Sequence, residues 1–529
     1  MKRSNILCVL VLAVCGPAYA ADSAMPALRK NGSAVQLFAG GQPFLILGGE
    51  LHNSSASSLE YMEPIWPRLK AMSLNTVLAT VSWELLEPRE GTFDFRLVDG
   101  LIQGARANRM RLVLLWFGSW KNGVSSYVPL WVKRDPARFP RVRNRRGSNL
   151  DILSPLSENS RIADARAFAA LMKHLREIDS AQATVLMIQA ENEVGVRPES
   201  RDRSPAAQDA WNAAVPPELL RYLGAQKGHL IPELDSVWAA QGYRTEGTWQ
   251  EVFGSDAHAD EVFMAWHFAR YIGSVVEAGK HEYPLPVYVN AWLVQNDKQV
   301  PGDYPSGGPV SRMMDVWRAA APAVDLFAPD IYLPDFPAVC ASYTRSGNPL
   351  FIPEASRGPE SAANVFYAIG RHNAIGFSPF AIDELPKDHP IASAYALLDS
   401  LAPMILTAQA AGAIAGFAQG NEEINAADLG NYHFEVRYPS RKGVKGAGLI
   451  LSTGPDEFYV AGLGVSVRYS SRDNALTARI GEVDEGSFVD GKWSPGRRLN
   501  GDETAGGGEI RLPDDVYSIQ RVRLYRHAR

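Results

Sequence analysis

Cysteine is nearly absent: three in 529 residues, at positions 8, 15 and 340. A disulfide scaffold is thereby excluded, so a core of ordinary size has to hold the fold together. Basic excess is absent too, with 53 Lys and Arg against 58 Asp and Glu and a formal net charge of −5. That balance lacks the phosphate-neutralising surface a nucleic-acid partner requires, and none is expected. No internal repeat or low-complexity tract occurs, and no apolar run beyond the N-terminus reads as a transmembrane helix, so no membrane anchor is expected. No strand-like run leads into G-x-G-x-x-G; Gly462-Leu463-Gly464 is an incomplete and late match.

What is present begins with an export pattern. Lys2 and Arg3 form a positive start, Ile6 to Val14 an apolar stretch, and Ala18-Tyr19-Ala20 a small-x-small cleavage signal. Residues 1–20 are therefore expected to be a signal peptide, whose removal leaves Cys340 as the one remaining cysteine. An exported chain without disulfides suggests a bacterial periplasm or exterior.

From about residue 36 to 385, short apolar runs alternate with amphipathic helical stretches. The runs are Phe44–Gly49, Thr76–Val81, Leu112–Phe117, Thr184–Ala190, Pro286–Ala291, Val324–Ile331, Leu350–Pro353 and Ile375–Ile382. Each lacks regular polar alternation, as strands buried on both faces do. Eight of them separated by helices is the count that closes a (β/α)8 TIM barrel, over 21–420; an open doubly wound sheet is the alternative. Residues 196–285 are too many for one loop and carry helical patterns, so they are expected to form a helical insertion over the barrel mouth. Composition shifts near 420. Eleven of the 12 Trp precede residue 421, whereas 421–529 hold 15 of the 45 Gly and short alternating strands. That stretch is expected to be a C-terminal antiparallel β-domain, sandwich-like. It is open to three uses: binding glycan, covering a barrel edge, or joining copies of the chain into a homo-oligomer.

Active sites of barrels lie at the C-terminal ends of the strands. Two carboxylates follow directly on buried runs: Glu193 after the fourth and Glu354 after the seventh. They are expected to face each other across the mouth. Glycoside cleavage needs such a pair, one protonated to give its proton to the leaving oxygen and one ionised to attack the anomeric carbon. Trp83, Trp116, Trp120, Trp292 and Tyr332 are candidate flat faces for sugar rings. Asn290, Glu50 and Glu84 also sit at strand ends; the acidic two could bind hydroxyls or pair internally. Lys121 and Asn122 follow Trp120 and are placed to reach a ligand, while His52 reads as a structural histidine. No His/Glu or Cys spacing reads as a metal site, and no cofactor is called for.

Several motifs occur in order. Gly48-Gly49-Glu50-Leu51-His52, Trp66-Pro67-Arg68-Leu69, Leu74-Asn75-Thr76, Trp83-Glu84-Leu85-Leu86-Glu87-Pro88 and Gly91-Thr92-Phe93-Asp94-Phe95 precede Ile188-Gln189-Ala190-Glu191-Asn192-Glu193-Val194-Gly195 and Phe351-Ile352-Pro353-Glu354. Over about residues 36–420 this set resembles glycoside hydrolase family 35, the β-galactosidases of clan A, and within it a divergent bacterial branch that carries a small C-terminal β-domain. The resemblance implies that Glu193 is the general acid/base and Glu354 the nucleophile. It further implies that Asn192 hydrogen-bonds the sugar 2-hydroxyl and that Tyr332 hydrogen-bonds the nucleophile. Two positions depart from the family: Phe117-Gly118-Ser119-Trp120 stands where it has Cys-Ala-Glu-Trp, and Thr80 where it has a tyrosine. Both touch sugar recognition.

The expected function is that of an exported, retaining exo-β-galactosidase acting on glycans or oligosaccharides, with Asn192, Tyr332, Trp120, Asn122, Glu50 and Asn290 around the sugar. The alternatives are a related glycosidase of other specificity (β-arabinopyranosidase, β-glucosidase or endo-galactanase) and a carbohydrate-binding barrel without turnover.

Overall fold

The computed structural model describes residues 25–420, 426–439, 445–489 and 491–528. The signal-peptide reading, with Cys8 and Cys15, lies outside the described residues.

A three-stranded antiparallel sheet opens the fold: β1 (Ala27–Asn31), β2 (Ala34–Ala39) and β3 (Gln42–Phe44). The chain then enters β4 (Ile46–Glu50), β5 (Thr76–Ser82) and β6 (Arg111–Lys121). After a short hairpin, β7 (Arg141–Arg143) and β8 (Asn149–Leu153), come β9 (Val185–Asn192), β10 (Val287–Trp292), β11 (Leu326–Ile331), β12 (Ile352–Ala355) and β13 (Gly376–Pro379). The eight strands β4, β5, β6 and β9 to β13 close in that order into one parallel barrel. These are the eight apolar runs of the sequence, buried almost throughout because the barrel interior lies on one side and helices on the other.

The barrel interior is filled. Leu37 from the opening sheet packs with Ile46, Leu78, Val113, Leu115, Phe117, Tyr288 and Phe351 in a single buried cluster. With these side chains filling the interior, the barrel opens at its C-terminal mouth.

The helices start and stop where the local chemistry requires. Ser157 accepts the Ser160 N–H to cap the helix Glu158–Asp179, and Asp256 accepts those of His258 and Ala259 to cap Ala257–Glu282. Helix Pro390–Ala411 begins on a proline and ends at Gly412, whose φ of 64° a glycine adopts without penalty. This helix is long and apolar enough to cross a membrane, yet Ile391, Tyr395, Leu398, Leu401 and Ile405 of it are buried in the protein.

Between β9 and β10 run the helices Pro205–Asn212, Pro217–Ala225, Pro232–Ala239, Trp249–Phe253 and Ala257–Glu282. The last packs along Glu158–Asp179 on the outside of the barrel. After the barrel the described residues form ten more strands: β14 (Ile414–Ala418), β15 (Ala426–Leu429), β16 (Tyr432–Arg437), β17 (Ala447–Ser452), β18 (Glu457–Leu463), β19 (Ser466–Ser471), β20 (Leu476–Val489), β21 (Lys492–Arg498), β22 (Ile510–Arg511) and β23 (Ser518–Ala528). They form a six-stranded and a four-stranded antiparallel sheet sharing a core of Phe417, Tyr432, Phe434, Ile450, Phe458, Val460, Val467 and Val522. The six-stranded sheet starts on β14 and meets the barrel where helix Ser361–His372 crosses it. There a Cβ on Gly370 would stand 2.5 Å from the Gly416 Cα, so both glycines are needed for the approach.

Candidate active site

At the barrel mouth the register sets a row of side chains. Trp292 of β10 pairs with Asp330 of β11, and Asp330 with Glu354 of β12, so these three point to the same side of neighbouring strands. Glu193 follows β9, three places round the ring from β12 rather than diametrically opposite it. Carboxylate oxygens of Glu193, Asp330 and Glu354 all lie within 4.8 Å of one another. The groups stand closer than the about 6.5–9.5 Å that inverting glycosidases leave between their carboxyls for a water.

The tip of β9 is bent to place Glu193. Glu191 and Glu193 have φ of 61° and 45°, flanking Asn192 with two left-handed residues. The Glu193 N–H donates to Asn290 Oδ1 at 3.0 Å. Asn122, itself at φ 52°, donates from Nδ2 to Glu193 Oε2 at 2.5 Å. Gly195 follows at φ 144°, where a Cβ would come within 2.5 Å of Pro305 backbone. Glu354 Oε1 accepts the Tyr332 hydroxyl at 2.5 Å.

Electrostatics acts strongly on Glu193. Burial, and then the charge of Glu354, pushes Glu193 up to about 7, against lowering by Lys121 and by a hydrogen bond with Asp330. Burial and Glu354 also raise Asp330 and Glu50 well above the usual carboxylate range. Lys121 Nζ donates to Asn192 Oδ1 at 3.0 Å across the β6–β9 pair.

These groups surround an open cavity of about 670 Å³, lined among others by His52, Asn122, Lys121, Glu193, Arg197, Trp292, Asp330, Tyr332, Glu354, Arg357 and Phe380. Buried polar atoms without protein partners gather at and beneath it: Glu354 Oε2, Asp330 Oδ1, Asn192 Nδ2 and both carboxylate oxygens of Glu50. Such atoms are rare in a folded interior, and they leave polar groups free to pair with a polar ligand. A smaller cavity of about 250 Å³, between Ser82, Glu84, Asp94 and Tyr127, contains neither member of the pair.

The structure sorts the remaining candidates. Tyr332, at 48% exposure, and Asn122 stand on the cavity wall. Glu50 and Asn192 are fully buried behind it. Trp120 is no sugar platform: it is 0% exposed, its Nε1 donates to Leu153 O, and its ring packs edge-on against Phe268 and Tyr271. Trp83 and Trp116 are likewise internal, their indole N–H groups donating to Glu87 and Asp164. The aromatic faces that do reach the cavity are Trp292, Tyr332 and Phe380. Asn290 lies outside the cavity lining, its amide bridging Glu193 N and Asp330 Oδ2. Glu84 pairs with Lys133 at 3.1 Å. From the insertion, Arg197 is the sole contributor to the described cavity wall; the loop after β10, with Leu293, Gln295, Gln299 and Asp303, supplies that side instead.

Sequence reasoning passes over Asp330 as one strand-end residue among several. Its signal was a carboxylate embedded in a run otherwise fit for burial. Arg197, whose guanidinium lies 4.9 Å from the Trp292 ring, and Arg357, paired with Glu384, carry no motif that would announce them.

Residues 57–260 match the beta-galactosidase family model Glyco_hydro_42. The chain is a glycoside hydrolase. The matched stretch contains Glu193, and it names a different beta-galactosidase family from family 35, whose motifs the sequence resembles. Residues 391–511 of this glycoside hydrolase match a domain of unknown function, DUF5597. No curated protein matches the chain by sequence. Among solved structures it is similar to the catalytic domain of a beta-amylase from Paenibacillus polymyxa, at 12% identity over 65% of this chain and 94% of that one, with a TM-score of 0.47. It is also similar to beta-galactosidases from Bacillus circulans sp. alkalophilus (16% identity, 69% of this chain, TM-score 0.47) and Halorubrum lacusprofundi (16% identity, 67% of this chain, TM-score 0.43). The chain spans 57% and 58% of the length of those two enzymes.

Proposed function

We propose that this glycoside hydrolase is an exported, retaining exo-β-galactosidase working by double displacement. The observation that carries the reading is the close pair of Glu193 and Glu354 on one cavity. Glu354, oriented by the Tyr332 hydroxyl, attacks the anomeric carbon while Glu193, held by Asn122, gives its proton to the leaving oxygen. Glu193 then takes a proton from the water that releases the sugar. The family 35 motif set supports the same assignment, and the N-terminal pattern supports export.

Azide should rescue Glu354→Gly by forming an α-glycosyl azide. Glu193→Ala should keep activity best on substrates with good leaving groups, which need little protonation. Near-wild-type hydrolysis of an aryl galactoside by either variant would overturn the reading.

Sugar preference is the point where a second reading has support. Ser119 stands where family 35 has a glutamate, and it is buried on Asp164 and Tyr271 rather than turned to the cavity. A panel of aryl β-galactosides, α-L-arabinopyranosides and β-glucosides decides between a galactosidase and a relative of other specificity.

A further inference from the structure

Double displacement uses two carboxylates, and the structure sets a third between them. Asp330 is 3% exposed and shares its row with Glu354. Its Oδ2 accepts Asn290 Nδ2 at 2.7 Å, and the same amide accepts the Glu193 N–H, so one asparagine fixes Asp330 relative to the backbone of Glu193. Its Oδ1 is buried without a hydrogen-bond partner, and carboxylate oxygens of Asp330 and Glu193 lie within 4.8 Å of each other. Asp330 faces Glu354 from β12, Glu193 from the end of β9, Glu50 from β4 and the phenols of Tyr288, Tyr332 and Tyr343. The cation among these carboxylates is Lys121 of β6, which acts on Glu50 and Glu193. Like charges that close cannot all ionise, and of the three carboxylates whose oxygens lie within 4.8 Å of one another Asp330 is the most enclosed, at 3% exposure against 5% for Glu193 and Glu354.

Resting on the reading of Glu193 as acid/base, we infer that Asp330 is a positioning residue: it keeps its proton through the cycle and donates it as a hydrogen bond to the Glu193 carboxylate. In the first step the Glu193 proton goes to the leaving oxygen as the bond from C1 to Glu354 forms and the glycosidic bond breaks. The Asp330 O–H then holds the new Glu193 carboxylate ionised and aimed. In the second step a water oxygen bonds to C1, the C1–Glu354 bond breaks, and the water proton goes to Glu193. Asp330 ends each step with the proton it began with.

The experiment compares Asp330→Asn, which keeps an N–H donor without a titrating group, with Asp330→Ala, which keeps none. The substrate is an activated aryl glycoside that the wild type hydrolyses, so that release of the sugar limits kcat. Asp330→Asn should stay within about threefold of wild type, with the basic limb of its kcat/KM pH profile unmoved. Asp330→Ala should lose about 10- to 100-fold in kcat, the scale of one hydrogen bond to a charged group, and less in kcat/KM. A basic limb moved down by half a pH unit or more in Asp330→Asn would mean that wild-type Asp330 is ionised, and would overturn the proposal. So would an unchanged kcat in folded Asp330→Ala. Should the alanine variant not fold, the asparagine profile decides alone. Failure here leaves Glu193→Ala and Glu354→Gly well below wild type on an aryl galactoside, whereas failure of the underlying reading leaves either of them near wild type.

Discussion

Lys121 works against the other groups at the cavity floor. Its charge lowers both Glu50 and Glu193, while burial and Glu354 raise them. Glu193 settles at about 7, so the acid form needed for the first step is lost as pH rises through that value. Lys121→Met removes the lowering charge and leaves Glu193 harder to ionise. The basic limb of kcat/KM should therefore move up from near pH 7, read from a pH profile on an aryl glycoside. A limb that stays put or moves down would contradict this electrostatic account.

At the scale of the element, the tip of β9 is held from below by a second acidic pair. Glu191 Oε2 accepts the Trp120 N–H, and Asp164 accepts from Trp116, Ser119 and Tyr271. Burial raises Glu191 well above its usual value, and the charge of Asp164 and a hydrogen bond with it raise it further. A carboxyl raised in the fold stabilises it below the unfolded value of about 4.5, and that stability is lost as pH rises through the folded value. Glu191→Gln keeps an acceptor for Trp120 and removes the titration, so its Tm should fall less than that of the wild type between pH 5 and pH 8. The same dependence of Tm on pH in the two proteins would refute a Glu191 carboxyl raised by the fold. The strand-end positions of Glu193 and Glu354 were legible because each follows an apolar run whose length the sequence displays. The fate of Trp120 was not, because Phe268 and Tyr271, which enclose it, lie about 150 residues further on, in a helix whose docking no local pattern reveals.

For the whole molecule, the barrel could be read from eight runs of the right length and character, since strands buried on both faces leave a pattern in the chain itself. The register between strands leaves none. That Trp292, Asp330 and Glu354 share one row follows from how β10, β11 and β12 slide against one another, so the third carboxylate emerged only with the fold. The insertion was legible as helices but not in its placement: it packs mainly on the barrel flank, and the loop after β10 builds the cavity wall. The C-terminal strands were legible from their alternation, and Trp493 among them is engaged by Tyr459 and Phe488 within the protein. The proposed double displacement passes through a covalent glycosyl intermediate on Glu354, which a 2-deoxy-2-fluoro-β-galactoside bearing an activated leaving group should trap, the label then being located by peptide mass spectrometry. The label should sit on the peptide containing Glu354, with Glu354 as the modified residue. A label on any other carboxylate, or steady turnover of ordinary substrate with no label accumulating, would contradict the account.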